Sequence, residues 1–154
     1  MIRQNFNADW TVEKGDGNSR MNSFLGNTQT KTVHLPYDAM IHEARTPDTK
    51  NGAQTGFYPG GEYIFQKHFT VPQAWQGKPV SLVFEGVYQT ALVYLNGWLL
   101  TRNVNGYAEF TVEAGPYLKY GADNLLKVIA DNSLEPNSRW YTGSGCWVPD
   151  CYLQ

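Results

Sequence analysis

From about residue 61 onward, apolar and polar side chains alternate with a period of two. Tyr63, Phe65, Phe69 and Val71 share one parity; Val80, Leu82 and Phe84 form the inward face of a second run, and Leu126, Val128 and Ala130 that of a third. Successive side chains of a β-strand point to opposite faces, so each run reads as a strand with a buried side. Asn96-Gly97 separates residues 91–95 from residues 98–100. Both central residues of a type I′ turn need positive φ, which Asn and Gly tolerate, and this predicts a two-residue hairpin. Helical periodicity is nearly absent. One-turn pieces are expected at residues 72–75 and 116–120, each opened by a proline suited to a first helical turn.

Short strands punctuated by Gly, Pro, Asn and Asp point to an all-β sandwich, because a parallel sheet needs intervening helices of about a dozen residues. Residues 36–61 stand apart as a long irregular stretch carrying Pro36, Pro47, Gly52, Gly56, Pro59, Gly60 and Gly61. Such loops are functional or disordered, and the Phe57-Tyr58 pair argues for order. At 154 residues, without repeats or low-complexity tracts, the chain reads as one domain. That length buries about two thirds of the unfolded surface without metal or disulfide support.

A net charge of -2 and twelve scattered Lys and Arg exclude the basic stripe of a nucleic-acid binder. No run of about 18 apolar residues and no basic start with an apolar segment is present, so no membrane partner and no signal peptide are expected. Cys146 and Cys151 match no metal-ligand spacing. In an extended strand they would lie about 16 Å apart at about 3.3 Å per residue, which favours two free thiols unless residues 148–151 turn back.

The chemistry-bearing stretch is residues 137–145, Asn-Ser-Arg-Trp-Tyr-Thr-Gly-Ser-Gly. Arg139 offers a fixed fork of donors for hydroxyl groups, and Trp140 and Tyr141 offer flat rings on which the C–H faces of a sugar can stack. The same residues are compatible with core packing beside an arginine whose stem lies along apolar surface. Asp131 and Asn132 follow a predicted strand, where Asp131 most simply caps a turn with its side chain. A complete catalytic set is missing. Sugar hydrolysis needs two carboxylates of different character. Glu85 reads as a carboxylate held by loop amides, and Glu62, Glu109 and Glu113 read as solvent-facing strand residues. His34, His42 and His68 are dispersed, and no phosphate loop or nucleophile elbow occurs, so no metal and no cofactor are expected.

The ordered series Phe6-Asn7-Ala8-Asp9-Trp10, His34-Leu35-Pro36-Tyr37-Asp38, Tyr58-Pro59-Gly60-Gly61, Phe69-Thr70-Val71-Pro72, Trp75, Phe84-Glu85-Gly86-Val87-Tyr88, Val93-Tyr94-Leu95-Asn96-Gly97, Gly106-Tyr107, residues 121–125 and residues 138–145 spans the chain almost end to end. It resembles the N-terminal sugar-binding domain of glycoside hydrolase family 2, which contains β-galactosidases, β-glucuronidases and β-mannosidases. The resemblance implies a jelly-roll β-sandwich, similar to galactose-binding domains, ahead of an immunoglobulin-like domain and a TIM barrel. In that family the barrel carries both catalytic glutamates, so the resemblance implies no catalytic residue here.

The family usually continues past its final glycine with Ile-Tyr-Arg-Asp-Val, where this chain has Cys146-Trp147-Val148-Pro149-Asp150-Cys151. Val148-Pro149 replaces the arginine, and proline donates no ladder bond to a last strand. The resemblance also implies that a loop equivalent to residues 138–142 reaches the sugar subsite. Arg139 then falls where relatives often carry a sugar-contacting aspartate, a reversal of charge. The substrate-binding set expected is Arg139, Trp140, Tyr141, Asp131, Asn132 and Tyr58. The leading expectation is a non-catalytic accessory domain of a retaining β-glycosidase of β-galactosidase type, with a carbohydrate substrate and the downstream immunoglobulin-like and barrel domains as partners. An autonomous carbohydrate-binding module is the alternative.

Overall fold

The computed structural model describes residues 3–15, 30–133, 145–146 and 151–153. Two antiparallel sheets face each other. The smaller has the order β1 (Gln4–Asn5), β12 (Cys151–Leu153), β6 (Ser81–Phe84), β9 (Phe110–Glu113). The larger has the order β3 (Lys31–Val33), β2 (Trp10–Lys14), β5 (Glu62–Thr70), β10 (Asp123–Asp131), β7 (Thr90–Leu95), β8 (Trp98–Asn103). A short ladder joins β4 (Tyr37–Asp38) to β11 (Gly145–Cys146). Four short 3₁₀ turns are the helical content of the described residues, two of them at Gln73–Trp75 and Gly115–Tyr117. The all-β antiparallel sandwich expected from the alternation is the fold observed.

Parity sets the core. Tyr63, Phe65, Val128, Ala130, Val93 and Leu95 point from the long central strands toward Leu82, Phe84 and Val112 of the opposing sheet, with Trp10 wholly buried among them. The indole N–H of Trp10 donates to the Phe6 carbonyl at 2.6 Å, which satisfies its one polar atom inside the core. The opposite face of the central strands is not simply solvated. Ile64, Leu92 and Ile129 form a second buried cluster there, flanked by Tyr94. Lys127 lies on the same face with its ammonium 5.1 Å from the Tyr94 ring centroid, and burial lowers its pKa despite the opposing pull of Glu13.

The hairpin forms as the turn chemistry requires. Leu95 pairs with Trp98, and Asn96 and Gly97 have φ of 51° and 87°. The stretch 36–61 is ordered, built from β4, two 3₁₀ turns (Met40–His42 and Gly52–Thr55) and hydrogen-bonded bends. Pro149 does not prevent the last strand from pairing, because the ladder begins after it: Cys151 sits opposite Phe84, and Leu153 bridges Leu82 and Gln4. The thiol state of Cys146 and Cys151 falls outside the described side chains.

Candidate functional site

The candidate site is the end of the sandwich where β10 stops. There Asp131 lies opposite Glu62 of β5 and Thr90 of β7, so the end of β10 meets the starts of its two neighbouring strands. The Asp131 carboxylate accepts a hydrogen bond from the Ser133 amide at 2.8 Å, the turn cap expected of an Asp at a strand end. Asn132 is 3% exposed and acts as a pin. Its Oδ1 accepts from the Gly61 amide at 2.8 Å, its backbone N–H donates to the Gly61 carbonyl at 3.2 Å, and its Nδ2 donates to the Met40 sulfur at 3.2 Å. Gly60, at φ 63°, passes so close that a Cβ there would lie 2.8 Å from Asn132 Oδ1.

The segment containing Arg139, Trp140 and Tyr141 leaves the described chain at Ser133 and re-enters it at Gly145; those three residues lie outside the described residues. Both bracketing points are tied to the same short stretch. Gly145 pairs with Asp38, the Asp38 carboxylate accepts from the Met40 amide at 3.0 Å, and Met40 also meets Asn132.

Around these anchors, ionic and aromatic groups gather. The buried Tyr63 hydroxyl donates to Glu43 Oε1, and Glu43 Oε2 accepts from Lys14 Nζ at 2.5 Å. Burial first, then the bond to Glu43, pushes the Tyr63 phenol well above the ordinary tyrosine range. Tyr58 is half-buried, with the Arg45 guanidinium 4.9 Å from its ring centroid. Tyr37 stacks on His42 at 4.9 Å and 10°, and its hydroxyl accepts from Lys31 at 3.1 Å.

Sequence reasoning missed Glu43, Tyr63, Met40 and Arg45. Their contacts join positions far apart in the chain, and no local pattern marks them. Glu62 departs from its expected solvent-facing role: it is half-buried, and its Oε2 is enclosed without a hydrogen-bond partner. Glu85 is half-buried and takes no hydrogen bond among the described residues, in place of the expected loop amides.

This arrangement holds loops together. Glu43 is committed to Tyr63 and Lys14, Asp131 caps a turn, and Glu62 Oε2 is enclosed. Among the described residues no group of three or more His, Cys, Asp or Glu could hold a metal ion. No helix among them is long and apolar enough to cross a membrane.

The family model described as glycosyl hydrolase 2 galactose-binding domain-like matches residues 10–147. The chain belongs to that family. This glycoside hydrolase family 2 domain is 36% identical over 145 residues to a β-galactosidase, BoGH2A, of Bacteroides ovatus, covering 94% of this chain and 17% of the relative. It is 31% identical over 134 residues to a β-glucuronidase of Formosa agariphila, covering 83% of this chain and 13% of the relative. A solved family 2 member from Bacteroides cellulosilyticus superposes with a TM-score of 0.87 at 30% identity, covering all of this chain and 20% of that one. The family 2 domain therefore spans about a sixth of the length of the curated relatives it matches.

Proposed function

We propose that the chain serves as the N-terminal accessory domain of a retaining β-glycosidase of β-galactosidase type. In this reading it packs on a TIM barrel and lends the segment around Arg139, Trp140 and Tyr141 as one wall of the sugar subsite. Asp131, Asn132 and Tyr58 stand at its base. The observation that carries the reading is the double anchoring of that segment: Asn132 pins its start to Gly61 and Met40, and Gly145 is paired with Asp38 at its end. A loop fixed at both ends can be held at a defined distance from a neighbouring domain, as a subsite wall requires. The cleavage chemistry belongs, in this reading, to carboxylates outside the chain.

Two measurements on the 154-residue chain test it. The chain is expected to leave nitrophenyl β-galactoside and β-glucuronide intact; hydrolysis abolished by Glu85→Gln would overturn the non-catalytic assignment. Isothermal titration with galactose, lactose and glucuronate is expected to show no binding, because a partial wall cannot offset the entropy of immobilising a sugar. Millimolar binding lost on Arg139→Ala would instead identify an autonomous carbohydrate-binding module.

A further inference from the structure

We propose that Asn51-Gly52 is a site of spontaneous covalent modification, where the folded chain converts Asn51 to aspartate and isoaspartate. This conversion does not depend on the subsite reading, because it is chemistry of the main chain. The sequence holds three Asn-Gly pairs, Asn51-Gly52, Asn96-Gly97 and Asn105-Gly106, and the fold treats them differently.

The reaction needs only water. The amide nitrogen of the glycine gives up its proton to solvent hydroxide and attacks Cγ of the asparagine. A C–N bond forms, the Cγ–Nδ2 bond breaks, and ammonia leaves with a proton returned from water. Water then opens the five-membered imide at either carbonyl. One opening gives aspartate; the other reroutes the main chain through the side-chain carbon and gives isoaspartate. Glycine favours ring closure because no Cβ obstructs it. Closure also requires a carboxamide free to swing onto the next nitrogen, and room for the ring.

Asn96 fails the first condition. Its Nδ2 donates to the Tyr117 carbonyl and to Asn124 Oδ1, each at 2.8 Å, and its Oδ1 accepts from the Leu125 amide at 3.0 Å. Asn124 is itself fully buried, so the carboxamide of Asn96 is held from both ends. Asn105 fails the second condition. Its Oδ1 accepts from the Tyr107 amide at 3.1 Å, and Gly106 is packed so closely that a Cβ on it would lie 2.5 Å from Tyr88 Cδ2.

Asn51 meets both. It is the N-cap of the 3₁₀ turn Gly52–Thr55, yet its side chain caps nothing and makes no hydrogen bond among the described residues. A Cβ built on Gly52 would meet no atom within 4 Å. The Gly52 N–H is shared between the Thr49 carbonyl at 3.2 Å and the Thr49 hydroxyl at 3.1 Å. Both bonds are at the long end of the range, so the attacking nitrogen is weakly held. Conversion adds a negative charge and, as isoaspartate, a main-chain carbon within the stretch that carries Gly61 to Asn132.

The test is peptide mapping by mass spectrometry of the 154-residue chain after incubation at mildly alkaline pH, folded in buffer and unfolded in urea. In the folded chain Asn51 is expected to convert at least roughly tenfold faster than Asn96 and Asn105, which react only through opened states. In urea the three are expected to agree within about threefold, because unfolding removes the restraints that distinguish them. The acidic shift of the folded chain on isoelectric focusing is expected to vanish in Asn51→Ser. In Gly52→Ala, with the fold confirmed by circular dichroism, conversion at Asn51 is expected to slow at least roughly tenfold. Conversion of Asn96 or Asn105 as fast as that of Asn51 in the folded chain overturns the proposal. So does an Asn51 that stays intact in the folded chain while converting in urea, or an acidic shift that survives Asn51→Ser.

Discussion

Both ends of the sandwich are pinned by buried asparagines, but the pins reach very different distances along the chain. At the hairpin end Asn124 bonds to Lys119 and Ala122, five and two residues away, to Asn96 28 residues away and, more weakly at 3.5 Å, to the Phe69 carbonyl across 55. At the other end Asn132 reaches Gly61 across 71 residues and Met40 across 92. An end built from nearby turns supports itself and presents a fixed surface. An end closed by long-range pins gathers loops from several parts of the chain, so a segment leaving it can be aimed.

The largest effect should come from the self-supporting end. Asn124→Ala leaves the Lys119 amide, two carbonyls and the Asn96 amide without their buried partner. At about 1–3 kcal/mol for each such group, partly relieved by water, a loss of about 4 kcal/mol in urea unfolding is expected. A loss under about 1 kcal/mol would break the comparison at that end.

The long-range end should yield smaller, coupled losses. Asn132→Ala is expected to cost about 2 kcal/mol by orphaning the Gly61 amide. Gly60→Ala should cost about as much, from a left-handed φ of 63° and a Cβ 2.8 Å from Asn132 Oδ1. In the double variant the clash is gone and only the backbone strain remains, so the second substitution should add about 1 kcal/mol. Full additivity in a double-mutant cycle would show that Gly60 and Asn132 do not press on one another.

The smallest effect is a pH dependence near the same end. Burial, then the hydrogen bond with Tyr107, pushes the Tyr88 phenol up to about 12. A folded pKa above the unfolded one means that the folded state holds its proton more tightly, so this contribution is full below about pH 10 and is lost as pH rises toward 12. Tyr63, raised in the same direction, adds to the trend. Chemical denaturation between pH 9 and 12 should show stability falling in the native chain and falling less steeply in Tyr88→Phe; equal slopes would remove Tyr88 from the account.

What the sequence made legible follows the same division. The φ of 51° and 87° at Asn96 and Gly97, the two proline-opened 3₁₀ turns and the inward parity of Tyr63, Phe65, Leu126 and Val128 all rest on local chemistry, and each was readable. The Asp131 turn cap was readable for the same reason. The Tyr63–Glu43–Lys14 chain and the Asn132 pin join distant positions, which periodicity and turn signals do not register. The second buried cluster of Ile64, Leu92 and Ile129 also escaped the one-face-buried assumption, because strands apolar on both faces lose the period-two signal where it is needed. Of the expected sugar-contacting set, Tyr58, Asp131 and Asn132 come together at one end; Arg139, Trp140 and Tyr141 were singled out by their donor fork and flat rings and by the family resemblance, and they lie outside the described residues.

The most direct test of the central claim is steady-state kinetics of Arg139→Ala in the full-length enzyme, measured beside its melting temperature. A charged contact made in the transition state is worth about 1.5–4 kcal/mol, so kcat/KM should fall by roughly ten- to a thousandfold while Tm barely moves. An unchanged kcat/KM, or a large fall in Tm that accounts for the lost activity, would contradict the account and make Arg139 a structural residue.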